Sequence, residues 1–123
     1  MDFLKILLAE DDLMNQLLIG KVVKDAGFIL DVVENGQTAI NKLQEQDYDL
    51  ILMDVEMPVM NGYEATTYIR EHLGHKSNIP IIMVTNIAGT HEAAKCMLLG
   101  ANTYLSKPFK SNQLLDEIAT LVI

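Results

Sequence analysis

Five side chains in this sequence could do chemistry together: Glu10, Asp11, Asp54, Thr85 and Lys107. None is informative alone. An isolated Asp54 is a strand-end carboxylate capping a loop, and Thr85 is an ordinary β-former. Lys107 before a proline is a surface lysine, and Glu10-Asp11-Asp12 suits the start of a helix, where acids favour the dipole. Their company changes the reading. Clustered carboxylates raise one another's pKa unless a cation joins them. An oxygen-rich acidic pocket suits a hard divalent ion, Mg²⁺ above all. Lys107 adds a second positive charge, and Thr85 offers a hydrogen bond to an oxyanion. A carboxylate nucleophile, Mg²⁺, a lysine and a hydroxyl are the parts of a phosphoryl-transfer site that forms an aspartyl phosphate. Such a site exists only if the chain brings positions 10, 54, 85 and 107 together.

The elements that could do so begin with Leu50-Ile51-Leu52-Met53, an unbroken apolar run ending in Asp54. It reads as a strand buried on both faces of a parallel sheet. Pro58 stops it at or near Asp54. Phe3 to Ala9 is an earlier apolar run interrupted only by Lys5, and it ends in Glu10-Asp11-Asp12. A helix is expected from Asp12 to Ala26, closed by Gly27. Further strands are expected over Phe28–Val33, Ile79–Thr85 and Asn102–Lys107. Helices are expected over Thr38–Gln46, from Asn61-Gly62 to about Leu73, and over His91–Leu99. Asn35-Gly36 could turn a hairpin, but the helical pattern after it makes it a strand-to-helix turn. Ser111 is read as the N-cap of a last helix that runs to the end of the chain, leaving no output domain after it. Strand and helix alternate five times with short connections, which gives a parallel sheet with helices on both faces. All its strands end at one edge, where ligands bind in open α/β sheets.

The totals agree. A chain of 123 residues is expected to form one domain, residues 1–123, with one sizeable core. Nine basic against seventeen acidic residues leave a net charge of −8, which argues against direct nucleic-acid binding. No stretch is long enough for a membrane span, and no signal peptide is visible. The single cysteine, Cys96, fits a reducing compartment, so a cytoplasmic location is expected. His72 and His75 near a helix end are read as charges favourable to the dipole, not as metal ligands.

Taken together, these segments resemble the receiver domain of two-component response regulators, and the resemblance covers essentially the whole chain. It is carried by Ile6-Leu7-Leu8-Ala9-Glu10-Asp11-Asp12, by Met53-Asp54-Val55-Glu56-Met57-Pro58-Val59-Met60-Asn61-Gly62, by Val84-Thr85, and by Tyr104-Leu105-Ser106-Lys107-Pro108-Phe109. Asp12-Leu13-Met14-Asn15-Gln16 and Asn61-Gly62-Tyr63-Glu64-Ala65-Thr66 look most like receivers of hybrid sensor kinases and phosphorelays. The resemblance implies a flavodoxin-like (βα)5 doubly wound sheet of strand order 2-1-3-4-5. It implies that Asp54 is the phosphoacceptor and that Lys107 contacts the phosphoryl oxygens. Asp11, Asp54 and the Glu56 carbonyl would hold Mg²⁺, with Glu10 acting through water. Thr85 and Tyr104 would form a switch acting on the surface of the fourth helix, fifth strand and fifth helix. The implied partner is a sensor histidine kinase or a histidine phosphotransfer protein, and the domain would be a monomer or weak dimer. It would catalyse its own phosphorylation without being a turnover enzyme.

Two positions depart from the family pattern. Asn86 stands where a small residue is usual, and Ile87 is apolar where attacking water would pass; slower self-dephosphorylation is expected. On the first helix, at ~100° per residue, Asn15, Leu18, Ile19, Val22, Val23 and Ala26 share an arc expected to face the sheet. Leu13, Met14 and Leu17 fall on another arc. With Pro108 and Phe109 they are expected to form a patch that docks a helical partner. The last helix carries an apolar stripe of Leu114, Leu115, Ile118, Leu121 and Val122, with no arginine outside it, unlike receivers that dimerise to drive winged-helix transcription factors. Other functions fit less well. A haloacid-dehalogenase-type phosphatase shows Asp-x-Asp, where this chain has Glu56, and needs a cap domain. A flavodoxin-like cofactor binder needs a phosphate loop where Glu10-Asp11-Asp12 stands. A phosphorylation-dead module would not keep the complete site.

Overall fold

The structure is a computed structural model and describes residues 3–122. Five strands, β1 (Lys5–Ala9), β2 (Ile29–Val33), β3 (Leu50–Asp54), β4 (Ile81–Thr85) and β5 (Thr103–Ser106), form one sheet in the order β2-β1-β3-β4-β5. Every pairing is parallel. The helices are α1 (Leu13–Asp25), α2 (Gly36–Glu45), α3 (Gly62–His72), α4 (Thr90–Leu99) and α5 (Ser111–Val122), with a 3-10 turn at Gly74–Lys76. The expected flavodoxin-like architecture and strand order are those observed.

The unbroken apolar strands serve two cores at once. Leu7, Ala9, Ile51, Met53, Ile81 and Met83 point to the side covered by α2, α3 and α4. Their neighbours Ile6, Leu8, Leu50, Leu52 and Ile82 point to the side covered by α1 and α5. Successive strand side chains alternate faces, so strands that are apolar throughout require cover on both sides.

Local chemistry sets the boundaries. Asn35 and Thr38 form a capping box, so α2 starts at Gly36, two residues before the sequence pattern suggests. Asn61 and Glu64 do the same for α3. β5 starts at Thr103 and not at Asn102, because the Asn102 side chain accepts from the Ile81 N–H at 2.9 Å. Pro80, which has no N–H, precedes β4. Ser111 is the first helical residue of α5 and not its cap. Lys110 holds the cap position, its N–H donating to the Gln113 side chain at 2.7 Å. Of the arc expected to face the sheet, Ile19 and Val23 are buried, but Leu18 and Ala26 are exposed.

Candidate functional site

The parallel register aligns the strand ends. Ala9 pairs with Met53, Asp54 with Val84, and Thr85 with Ser106. Backbone hydrogen bonds continue one step past the strands: Glu10 N–H to Val33 O at 2.9 Å, Val55 N–H to Val84 O at 2.9 Å, and Lys107 N–H to Thr85 O at 2.7 Å. Glu10, Asp54, Thr85 and Lys107 therefore sit on backbone pinned at one edge of the sheet, where Glu10, Asp54 and Lys107 line an acidic cleft of about 840 Å³.

Within it, the Lys107 ammonium lies 2.9 Å from Glu10 Oε1 and 3.1 Å from Asp54 Oδ1. Glu10 and Asp54 are 1% and 5% exposed. Burial, followed by the negative charge of Glu10, pushes the Asp54 carboxyl up to about 7, although Lys107 pulls it down. Burial disfavours the Lys107 ammonium, but its bonds to the two carboxylates outweigh that and hold its pKa above the usual lysine range. Asp11 is exposed at the mouth. One carboxylate oxygen from each of Glu10, Asp11 and Asp54 lies within 4.8 Å of the others, a donor set of hard oxygens that fits a divalent ion such as Mg²⁺. Asp12 does not join them. It caps α1, its side chain accepting from the Asn15 N–H at 2.9 Å.

Thr85 is buried, and its hydroxyl accepts from the Ile87 N–H at 3.0 Å. Asn86 and Ile87 line the cleft. Tyr104 is half-buried on β5 and donates to the Gly89 carbonyl, just before α4, at 3.4 Å. Glu56 is exposed on the loop after β3 and also lines the cleft. The peptide bond between Lys107 and Pro108 is cis.

Leu13, Met14, Leu17 and also Leu18 are between 59% and 67% exposed. Leu18 and Ile19 of α1 face Pro108 and Phe109 across an apolar groove of about 460 Å³. Asn15, Asn86 and Lys107 line both this groove and the acidic cleft, so the two adjoin. His72 is exposed, 3.8 Å from Glu71, and its ring is tilted 40° against that of Tyr68 with centroids 4.6 Å apart.

Three features of the site escape a reading of the sequence. A Cβ on Gly62 would lie 2.2 Å from the backbone carbonyl oxygen of Asp54, so only glycine lets α3 start this close to the end of β3. Val59 has φ 68, and Met60 N–H bonds Pro58 O at 2.7 Å. This is a strained positive-φ γ-turn, set in the loop beside the cleft. Gln16 donates to the Glu10 carbonyl at 2.7 Å, tying α1 to the end of β1. The Asn61-Gly62 pair is visible as a helix start, but backbone approach distances are not.

A family model described as the response regulator receiver domain matches residues 6–119. The chain is 41% identical over 126 residues to hybrid signal transduction histidine kinase B of Dictyostelium discoideum, covering 93% of the chain but 6% of that protein. It is 37% identical over 112 residues to the sensor protein GacS of Pseudomonas syringae pv. syringae, covering 89% of the chain and 12% of that protein. The chain thus spans a small part of these relatives. Among solved structures it is similar to the receiver domain of sensor histidine kinase PA1611 from Pseudomonas aeruginosa, described with a magnesium ion in its active-site cleft. The TM-score is 0.89, with 34% identity and 98% of each chain covered. It is also similar to chemotaxis protein CheY4 of Vibrio cholerae, with a TM-score of 0.89, 28% identity, and coverage of 98% of this chain and 99% of that one.

Proposed function

The chain belongs to the response regulator receiver domain family of two-component signalling, and on that premise we propose that Asp54 accepts a phosphoryl group from phosphohistidine. The observation that carries this reading is the buried Asp54 carboxylate, 3.1 Å from Lys107, in a cleft whose acidic oxygens lie within 4.8 Å of one another. An Asp54 oxygen attacks phosphorus, and the oxygen–phosphorus bond forms. The phosphorus–nitrogen bond breaks, and its electron pair returns to the imidazole. The product is an acyl phosphate, and hydrolysis returns the carboxylate and inorganic phosphate. Lys107 is positioned to follow the charge from the carboxylate to the phosphoryl oxygens, and Thr85 can donate to one of them.

Asp11, Asp54 and the Glu56 carbonyl are the groups that would hold Mg²⁺, with Glu10 acting through water. When bound, the ion would neutralise the phosphoryl oxygens. The chain then catalyses its own phosphorylation and dephosphorylation and is not a turnover enzyme. Ile87 at the mouth of the cleft excludes attacking water, and Asn86 narrows the approach, so the acyl phosphate is long-lived.

Thr85 and Tyr104 flank the loop that leads to α4, which supports a switch acting on α4, β5 and α5. Leu13, Met14 and Leu17 are exposed on α1, and their neighbour Leu18 lines, with Pro108 and Phe109, the apolar groove that adjoins the cleft. Exposed apolar residues beside a polar site suit a docking partner. We assign this surface to a helical protein carrying the phosphohistidine, either a sensor histidine kinase or a histidine phosphotransfer protein. The domain acts as a monomer or weak dimer, without direct contact to nucleic acid. No helix among the described residues is long and apolar enough to cross a membrane, and a cytoplasmic setting follows from the phosphorelay role.

Transfer from a radiolabelled histidine phosphotransfer protein tests this. Label should move to the chain in the presence of Mg²⁺ and not to Asp54→Asn. Leu17→Ala should slow transfer roughly tenfold through lost apolar contact while leaving labelling by acetyl phosphate unchanged. Unchanged transfer in Leu17→Ala would sink the docking face. No transfer to the wild type would sink the receiver reading.

A further inference from the structure

Behind the cleft lies a second polar cluster that phosphoryl chemistry does not use. Glu92, in the first turn of α4, is 6% exposed. Among the described residues, no lysine, arginine or histidine nitrogen forms an ion pair with it. Its Oε1 instead accepts from two neutral donors, the Tyr63 hydroxyl of α3 and the Cys96 thiol one turn further along α4, the latter at 3.4 Å. The nearby ammonium of Lys95 is used otherwise: it sits over the Tyr63 ring, 4.0 Å from its centroid. Burial, and then the bond to Glu92, keep the Cys96 thiol protonated by pushing its pKa up to about 12, so it remains a donor.

Tyr63 also lines the acidic cleft. It follows Gly62, whose N–H bonds the Val55 carbonyl at 2.9 Å, one residue beyond Asp54. One side chain thus touches the cleft and holds the start of α4. We propose that the Tyr63–Glu92–Cys96 cluster is a latch that fixes α4 against α3 while the cleft is unphosphorylated and yields when a phosphoryl group enters. This rests on Asp54 being the phosphoacceptor. The sign follows from charge. A buried carboxylate held only by neutral donors tolerates little added negative charge nearby. At constant Mg²⁺, transfer of a phosphoryl group adds net negative charge to the cleft that Tyr63 borders. The loaded cleft therefore disfavours the latched position of Glu92. By reciprocity, whatever opens the latch favours the loaded cleft. Tyr63 is a positioning residue in this scheme, acting on the phosphoryl site through α4.

Beryllofluoride serves as the phosphoryl mimic, with Mg²⁺ at the same saturating concentration in every sample, with and without the mimic. Amide hydrogen exchange across residues 90–99 and mimic affinity are the two readouts. In the wild type, the mimic should speed exchange in α4. Tyr63→Phe removes one hydroxyl without changing ring packing. It should exchange at least about tenfold faster in α4 without the mimic, while the strands stay protected. It should also bind the mimic about fivefold more tightly. Glu92→Gln keeps an acceptor for Tyr63 but removes the charge, so its α4 should stay protected whether or not the mimic is bound. If Tyr63→Phe matches the wild type in either readout, or if the mimic speeds α4 exchange in Glu92→Gln as it does in the wild type, the latch is wrong. A wild type that does not bind the mimic at all would instead remove the receiver reading beneath it.

Discussion

The two edges of the sheet use charge in opposite ways. At the amino edge, Arg70, Lys76 and Lys5 are absorbed by the fold. Arg70 donates to the carbonyls of Gly100, Ser77 and Ile79 at 2.8, 2.7 and 2.7 Å, and to the Asn102 side chain at 3.0 Å. Lys76 donates to the carbonyls of Leu43 and Gln46. Lys5 reaches Gln46 and lies 3.6 Å from Asp31, whose carboxylate accepts from Tyr48. These bonds stitch loop carbonyls that the sheet leaves over. At the carboxyl edge, Lys107 is the one cation ion-paired to the buried acids Glu10 and Asp54 among the described residues, and Asp11 adds a third acid at the mouth. One edge ends with its charges used up. The other ends with an excess of negative charge facing a cleft, which is what a bound cation can relieve.

Substitutions should separate the edges. The largest effect is expected for Lys107→Met. It leaves two buried carboxylates without their cation and should cost about 3 kcal/mol in urea unfolding without Mg²⁺. It should also abolish acetyl phosphate labelling. Unchanged stability would mean that the rim charges are already satisfied. Arg70→Leu should cost a similar or slightly smaller amount, about 2 to 3 kcal/mol, because it orphans several carbonyls. Its labelling rate, measured where the variant is folded, should stay within about twofold of wild type. A large loss of labelling would join the two edges functionally and break the comparison.

Asp54→Asn tests the charge excess by its pH signature. Burial and Glu10 raise the folded-state pKa of Asp54 to about 7, above its unfolded value. Its favourable contribution is therefore fully present below about pH 4 and is lost as pH rises through about 7. Without Mg²⁺, Asp54→Asn should melt a few degrees above wild type at pH 8. The gap should narrow toward pH 4, and Mg²⁺ should close it at pH 8 by stabilising the wild type. A gap independent of pH would mean that burial and Glu10 do not raise the Asp54 pKa.

The carboxyl edge is legible in the sequence and the amino edge is not. Apolar runs leading into Asp54, Thr85 and Glu10 announce buried parallel strands, and parallel strands must end together. Asn35-Gly36 is correctly separable from a hairpin because a helical period follows it. The α1 arc is only partly right. A helical wheel assigns Leu18 to the buried face, but Leu18 lines the groove toward Pro108 and Phe109 and does not cover the sheet. Glu92 reads as a surface acid, since nothing in its own helix tells that Tyr63, 29 residues earlier, reaches it. Gly62 looks like any residue after an N-cap until the backbone of Asp54 is placed beside it. Contacts across elements, and the close approach of two backbones, are set by tertiary packing and leave no local pattern.

The measurement that bears most directly on the role of Asp54 is intact mass after incubation with Mg²⁺ and acetyl phosphate, on wild type and Asp54→Asn together. One labile phosphoryl adduct is expected on the wild type and none on the variant. An adduct of the same size on both would move the acceptor away from Asp54 and contradict the assignment of the carboxyl edge.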